Sequence, residues 1–271
     1  MIKKFFSRGY IFLVLAFIYI PIFILVIFSF NSGKTIGTWE SFSFGWYAKL
    51  GSIKDVVLNT VLLAVISSIV ATILGTLGAI GLHYSRGKLG KAVNATSQIP
   101  VVNSEVVTAC ALVMLFMLVG LTNRSIFGLY VGHVLLSVPF VVLSVMPKLK
   151  QMDNSLYEAA LDLGATPTQA LFKVVLPEIL PGVFSGFMLA ITLSLDDYIV
   201  TSILAPFGYD TISTAVYKSI AQATKSASEK LPIYRALTTI IFIITILAVV
   251  LMNIRASKAN KRKNLNGAVK K

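Results

Sequence analysis

Six long apolar blocks alternate with shorter polar segments along the chain. Within these blocks the only charged side chains are three carboxylates, and there is no lysine or arginine. An α-helix of about 20 apolar residues crosses the hydrocarbon core of a membrane. The pattern therefore predicts an all-α integral membrane protein with six transmembrane helices. The predicted spans are residues 9–30, 56–82, 99–121, 126–146, 182–204 and 236–254.

The segment between the fourth and fifth blocks, residues 155–177, is amphipathic. Ser155 followed by Glu158 is the pattern of a capping box, which satisfies free backbone N–H groups where a helix starts. A short helix is therefore predicted from Leu156, and Gly164 is expected to end it. Glu158 and Asp162 lie on its more polar side. Its apolar stripe is predicted to contain Leu156, Ala159, Ala160 and Leu163.

A second short helix is predicted after this glycine. Thr166 is the expected N-cap, Pro167 occupies the first helical position, and Gln169 closes another capping box. Pro177 is expected to stop the helix, because proline has no backbone N–H to continue the hydrogen-bond ladder. The segment is thus predicted to form two short helices joined by a glycine elbow.

Composition supports the membrane class and gives the chain an orientation. Of the 271 residues, 56% are hydrophobic and 13% are charged, against about 25% charged in soluble domains. The six predicted spans place both termini and residues 155–177 on one side, where 16 of the 24 lysines and arginines lie. This bias makes that side cytoplasmic, and residues 255–271 form a basic cytoplasmic tail. We interpret the net charge of +13 as serving contact with lipid headgroups and orientation in the membrane, rather than binding of nucleic acid.

The usual signatures of catalysis are absent from the sequence. There is no phosphate-binding glycine loop, no Cys/His spacing typical of a metal site, and no Ser/His/Asp set. The chain is therefore not expected to be an enzyme by itself. His133 lies in an apolar block and is interpreted as a packing or hydrogen-bonding residue, and Cys110 is interpreted as a buried, inert thiol.

The amphipathic segment resembles the EAA motif of ABC-importer permeases. The motif reads EAA, three residues, glycine, nine residues, isoleucine, one residue, and LP. This sequence matches it at every spacing, with Val174 in place of isoleucine as the single departure. The matching residues are Glu158, Ala159, Ala160, Gly164, Leu176 and Pro177.

Two further motifs resemble those of the spermidine/putrescine permeases: the pair Trp46–Tyr47, and TLSLDD at residues 192–197. The resemblance implies a type I, MetI-like importer fold in the bacterial inner membrane. It also implies a second homologous permease, a dimer of cytoplasmic ATPases that binds ATP and magnesium, and an external polyamine-binding protein. This chain would bind no cofactor itself. The matching EAA residues would contact the ATPase.

Three carboxylates inside the apolar blocks, Glu105, Asp196 and Asp197, are candidates for the substrate pathway. A charged group at mid-bilayer costs roughly 2.5–3.5 kcal/mol on insertion scales, so it normally faces a cavity or a partner. A polyamine would suit these acids, with Trp46 and Tyr198 offering cation–π contacts. Adjacent helical residues point about 100° apart. We therefore expect one aspartate to serve the pathway while the other caps a broken helix.

The residues leave alternatives open. The importer could carry another small ligand, such as a metal ion or an oxyanion, or the chain could be an ion-coupled secondary transporter or a channel. The three acids could instead contact a partner permease or lie near the outer membrane surface. Glu158 could merely cap its own helix while residues 155–177 pack on the helix bundle.

Overall fold

The computed structural model confirms the all-α class. It describes residues 2–35, 37–85, 104–120, 124–153, 155–224, 228–247 and 250. In these ranges the only strand-like pairing is one isolated antiparallel bridge between Asn31 and Phe42. The helices are α1 (Ile2–Phe28), α2 (Gly45–Ala48), α3 (Lys54–Tyr84), α4 (Glu105–Leu118), α5 (Ile126–Gln151), α6 (Ser155–Asp162), α7 (Pro167–Asp196), α8 (Ile199–Leu204), α9 (Ile212–Ala223) and α10 (Leu231–Leu247).

Four of the described helical segments are long and apolar enough to cross a membrane. They are Tyr10–Phe28, Leu50–Tyr84, Ile126–Gln151 and Pro167–Asp196. The shorter apolar helices α4 and α10 overlap the third and sixth predicted spans. Cys110 on α4 is exposed, so the expectation that this thiol is buried is wrong. Residues 86–103, 121–123, 248–249 and 251–271 lie outside the described residues, and with them the predicted tail and parts of both these spans.

The fifth span differs from its prediction at both ends. Helix α7 runs through Pro177 without interruption and ends at Asp196, well before residue 204. The expectation that Pro177 stops a short helix is therefore wrong. A π-helical turn, Leu171–Val175, precedes the proline, and the Leu176 N–H donates to the Leu171 carbonyl five residues back. This wider turn accommodates a residue that has no N–H to donate.

The chain divides into two compact units, residues 55–215 and residues 1–54 together with 216–271. In the unit of residues 55–215, small residues let helices approach α5 closely. A Cβ added at Gly75 would lie 2.7 Å from the Val141 Cβ, and one added at Gly186 would lie 3.2 Å from the Val141 Cα. Val141 is fully buried. Helices α3 and α7 therefore both pack against α5 at this residue.

In the other compact unit, the polar loop after α1 is ordered around Asn31, which is fully buried. The Asn31 amide donates to the Thr38 carbonyl at 2.6 Å and accepts from the Glu40 N–H at 2.9 Å. The Trp46 indole N–H donates to the Asn31 carbonyl at 2.9 Å. The side chain of one asparagine thus forms hydrogen bonds with backbone groups of the loop. Four aromatic rings of the same segment contact one another, some stacked and some edge to face: Phe30, Phe42, Phe44 and Tyr47.

The contact between Gly75 and Val141 makes a prediction for stability. We expect Gly75→Ala to lower the unfolding free energy by about 1–3 kcal/mol, because the new methyl group overpacks the interface of α3 and α5. Gly81→Ala is the matched control on the same helix, since no atom lies within 4 Å of its added Cβ. Thermal unfolding of the two variants in detergent checks this, and equal midpoints would contradict it.

Candidate functional site

Helix α6, which carries the EAA residues, begins at Ser155, one residue before the predicted start. Ser155 therefore lies inside the helix rather than at its cap. The Asp153 carboxylate accepts a hydrogen bond from the Ser155 N–H at 2.9 Å. This bond and a second one from the Ser155 side chain hold the pKa of Asp153 below its usual value. The start of α6 is thus stabilised by an ionised carboxylate at the positive end of the helix.

The glycine elbow is present as predicted. Gly164 has φ of +88°, a conformation that L-residues with a side chain rarely adopt. The Gly164 N–H donates to the Leu161 carbonyl at 2.9 Å, and the Ala165 N–H donates to the Ala160 carbonyl at 3.1 Å. These two bonds form a Schellman motif, which closes the carboxyl end of α6.

The predicted cap of the second short helix, which is the start of α7, is also confirmed. The Thr166 hydroxyl accepts from the Gln169 N–H, and the Gln169 side chain accepts from the Thr166 N–H, which completes the capping box. Pro167 occupies the first helical position. The chain therefore turns out of α6 and into α7 through local interactions alone.

One side of α6 packs on the protein and the other is exposed. The Tyr157 ring lies 5.0 Å from the Tyr84 ring at the end of α3, and Tyr157 also packs against the core cluster around Val145 and Val175. Three residues of the predicted apolar stripe are exposed, Leu163 at 90%, Leu156 at 44% and Ala159, whereas Ala160 is half-buried. Glu158 and Gly164 are exposed as well. The stripe is thus open to another molecule.

At the other end of α7, Asp197 caps a break in the helix. Asp197 has an extended backbone with ψ of 124°. Its Oδ1 accepts from the Val200 N–H at 3.1 Å, and its Oδ2 accepts from both the N–H and the hydroxyl of Thr201 at 2.8 Å. The carboxylate thus satisfies free donors at the start of α8. This is the capping role expected for one of the two aspartates.

His133 of α5 is fully buried, and its side chain bridges the two sides of this break. Its Nδ1 lies 2.7 Å from the Ser194 Oγ, which precedes the break, and its Nε2 lies 3.0 Å from the Thr201 Oγ1, which follows it. The Thr201 hydroxyl already donates to Asp197, so the His133 Nε2–H must be the donor to Thr201. The same Nε2 lies 3.4 Å from the Asp197 Oδ2.

The polar network continues to α3 and is enclosed by close packing. The Ser67 Oγ lies 3.2 Å from the Ser194 Oγ, and both side chains are buried. A Cβ added at Gly132 would lie 2.6 Å from the Leu204 Cδ1, so α8 rests directly on the α5 backbone. Four helices thus meet at one set of polar groups.

Sequence reasoning missed the partners of His133. A histidine in an apolar block indicates that polar partners are needed, but the sequence does not show which residues they are. Its partners Ser194 and Thr201 lie 61 and 68 residues away along the chain, and Ser67 joins the network through Ser194. Ser194 and Thr201 do bracket the two aspartates in the sequence, and that bracketing was the available clue.

The three predicted pathway acids lie on neighbouring elements: Glu105 begins α4, which packs against α8, and Asp196 and Asp197 lie just before α8. Asp197 is only 7% exposed, whereas Asp196 is exposed and Glu105 is half-buried. Tyr198 follows the two aspartates and is half-buried. The described residues contain no group of three His, Cys, Asp or Glu side chains that could hold a metal ion.

Trp46 belongs to the other compact unit. Its side chain is buried, and the Lys49 Nζ lies 5.0 Å from the centre of its ring. A cation of the protein itself therefore already makes a cation–π contact with the indole.

Residues 71–262 match the family model described as binding-protein-dependent transport system inner membrane component. One curated relative is the spermidine/putrescine transport system permease protein PotC of Haemophilus influenzae. It is 32% identical over 263 residues, which cover 96% of this chain and all of the relative. Another is the putrescine transport system permease protein PotI of Escherichia coli, 34% identical over 215 residues that cover 75% of this chain and 76% of the relative.

The fold is similar to that of a solved structure. The match is to a bacterial ABC transporter involved in the import of the acidic polysaccharide alginate, with a TM-score of 0.69 and 20% sequence identity. It covers 94% of this chain and 95% of that chain. At this identity the likeness bears on the fold alone.

The network at the helix break makes a prediction about the Thr201 hydroxyl. We expect Thr201→Val to lower the unfolding free energy by about 1–3 kcal/mol, because Asp197 loses a donor and the buried His133 N–H loses its acceptor. Thr201→Ser keeps the hydroxyl and is expected to cost less. Thermal unfolding in detergent measures the difference. If valine and serine are equally well tolerated, the hydroxyl does not support the network.

Proposed function

This chain belongs to the family of binding-protein-dependent transport system inner membrane components, and on that premise we propose that it is a permease subunit of an ABC importer for polyamines. Substrate would cross by alternating access, driven by a separate ATPase. The observation that carries the polyamine assignment is that Asp196, Asp197 and Glu105, on neighbouring elements, lie in apolar blocks that contain no lysine or arginine. The names of the relatives support the same substrate class.

The contacts at the helix break suit the two aspartates to different roles. Asp197 already accepts three hydrogen bonds and lies beside His133, so it has little capacity left for a ligand. Asp196 is exposed, and Glu105 is half-buried at the start of α4. In our proposal Asp196 and Glu105 bind the ammonium groups of the substrate, and Asp197 positions Asp196. The ring of Tyr198 is proposed to contact the methylene chain and the ammonium groups.

The exposed stripe of α6 supports the proposed contact with a cytoplasmic ATPase. Small side chains at Ala159 and Ala160 allow close approach, and the Gly164 elbow sets the direction in which the chain enters α7. Leu176 and Pro177 belong to the same proposed coupling element. ATP and magnesium would bind the ATPase dimer rather than this chain, and both termini would be cytoplasmic. A second permease and an external binding protein would complete the importer.

The competing functions differ from this proposal in what they require. An oxyanion would be repelled by the three carboxylates, although a second permease could supply specificity for another cargo. A secondary transporter would need no ATPase. Membrane vesicles that contain both permease subunits but no ATPase are therefore expected to show no uptake of labelled spermidine. Uptake that persists in such vesicles would contradict the importer mechanism.

The division between the two aspartates makes a prediction for transport. We expect Asp196→Asn to reduce spermidine uptake roughly tenfold or more, because a charge-assisted hydrogen bond is worth about 1.5–3 kcal/mol. Its abundance in the membrane should not change, because the side chain is exposed. Asp197→Asn should lower both uptake and abundance, because it disturbs the cap of α8. Unchanged uptake in both variants would remove the aspartates from the pathway.

The α6 stripe makes a separate prediction about assembly. We expect Ala159→Trp to reduce copurification of the ATPase about tenfold, because a bulky side chain in a packed interface costs about 1–3 kcal/mol. The permease should still fold, since Ala159 is exposed. Ile73→Trp, at an exposed position on α3, is the control and should retain the ATPase. Full ATPase retention in Ala159→Trp would contradict the coupling role of this face.

A further inference from the structure

A cavity of about 450 Å³ lies within the compact unit formed by residues 1–54 and 216–271. Its walls are contributed mainly by α1, α9 and α10. Most of the lining is apolar, and one side chain carries a charge. The residues on which the argument depends are Ile24, Leu25, Val216, Ile220, Leu231 and Arg235.

The charged residue of the cavity is Arg235. Its guanidinium lies 5.9 Å from the centre of the Phe28 ring, and its Nη1 is enclosed without a hydrogen-bond partner among the described residues. A buried donor of a charged group that lacks an acceptor is unfavourable, and such groups are normally paired. The site therefore calls for an acceptor that carries negative charge.

The protein itself has little negative charge to offer here. Residues 1–54 and 216–271 contain seventeen lysines and arginines but only two acids, Glu40 and Glu229. Glu229 is paired with Lys34 at 3.3 Å, and Glu40 lies against Gly33. Neither acid forms an ion pair with Arg235 in the part of the chain that the structure describes. Among the described residues of this unit no acid is available to Arg235, and an anion from outside the chain would supply the acceptor.

The position of Arg235 narrows the choice of ligand. It is the last charged residue before the apolar block 236–254, so its guanidinium lies where a span meets the headgroup region. The apolar lining from Ile24 to Phe28 belongs to the end of the first apolar block. A free phosphate would leave these apolar walls uncovered, and a polyamine would be repelled by the arginine.

We propose that this cavity binds an anionic phospholipid. The phosphate accepts hydrogen bonds from the Arg235 guanidinium, and an acyl chain lies against Ile24, Leu25 and Leu231 between α1 and α10. Basic side chains at a membrane interface bind anionic headgroups, and apolar grooves between helices hold acyl chains. The proposal concerns residues that have no part in the proposed substrate pathway, so it does not depend on the polyamine assignment.

The test compares charge-removing variants of the full-length chain. The protein is reconstituted in phosphatidylcholine bilayers that contain a minor fraction of phosphatidylglycerol, and retained lipid is identified by native mass spectrometry. Wild type is expected to retain phosphatidylglycerol preferentially, and Arg235→Gln about tenfold less. Lys230→Gln removes the same charge from an exposed neighbour and should retain the lipid. Equal retention by wild type and Arg235→Gln would overturn the proposal.

A second pair of variants tests the acyl-chain part of the site without changing its charge. Ile24→Trp should fill the cavity and displace the lipid, whereas Ile27→Trp, also exposed on α1 but outside the lining, should not. This pair keeps the test decisive if Arg235→Gln does not fold. A crosslink from residue 24 to another permease chain, in place of a lipid, would show that a protein helix occupies the cavity and would overturn the proposal.

Discussion

Polar groups that leave water for the membrane must be satisfied inside the protein, and this constraint shapes the centre of the molecule. The break between α7 and α8 exposes backbone N–H groups, and Asp197 accepts hydrogen bonds from them. The buried carboxylate in turn needs polar neighbours. The Thr201 hydroxyl donates a hydrogen bond to it, and the His133 ring lies beside it. Removing any one of these partners leaves another without a hydrogen bond. The break is therefore stable only as a set of matched groups contributed by several helices.

Close packing makes that set possible. The hydrogen bonds of His133 require α8 to approach α5 within a side-chain length, and the absence of a Cβ at Gly132 permits it. Further along α5, Gly75 and Gly186 allow α3 and α7 to approach Val141 in the same way. Without a hydrophobic driving force between helices in lipid, such close contacts are a main source of helix association. Helix α5 is thus a neighbour that α3, α4, α7 and α8 share.

Local features could be predicted from the sequence, and long-range ones could not. The capping box of Thr166 and Gln169 and the Gly164 elbow depend on residues within five positions of each other, so a short motif identifies them. Pro177 was misassigned because the π-helical turn that accommodates it has no simple residue signature. The partners of His133 lie 61 and 68 residues away. Such pairings follow from tertiary packing, which hydrophobic periodicity does not encode.

The unbroken course of α7 through Pro177 has a mechanical consequence. A helix of 30 residues, from Pro167 to Asp196, is roughly 45 Å long. Its first turn follows the exposed EAA helix, and its last residue is the exposed aspartate beside the break. No loop between these ends can absorb motion, so a tilt of one degree at one end moves the other by roughly 0.8 Å. The displacement at the carboxylates then depends on the length of this helix and on any bending at its π-helical turn, Pro177 and Pro181.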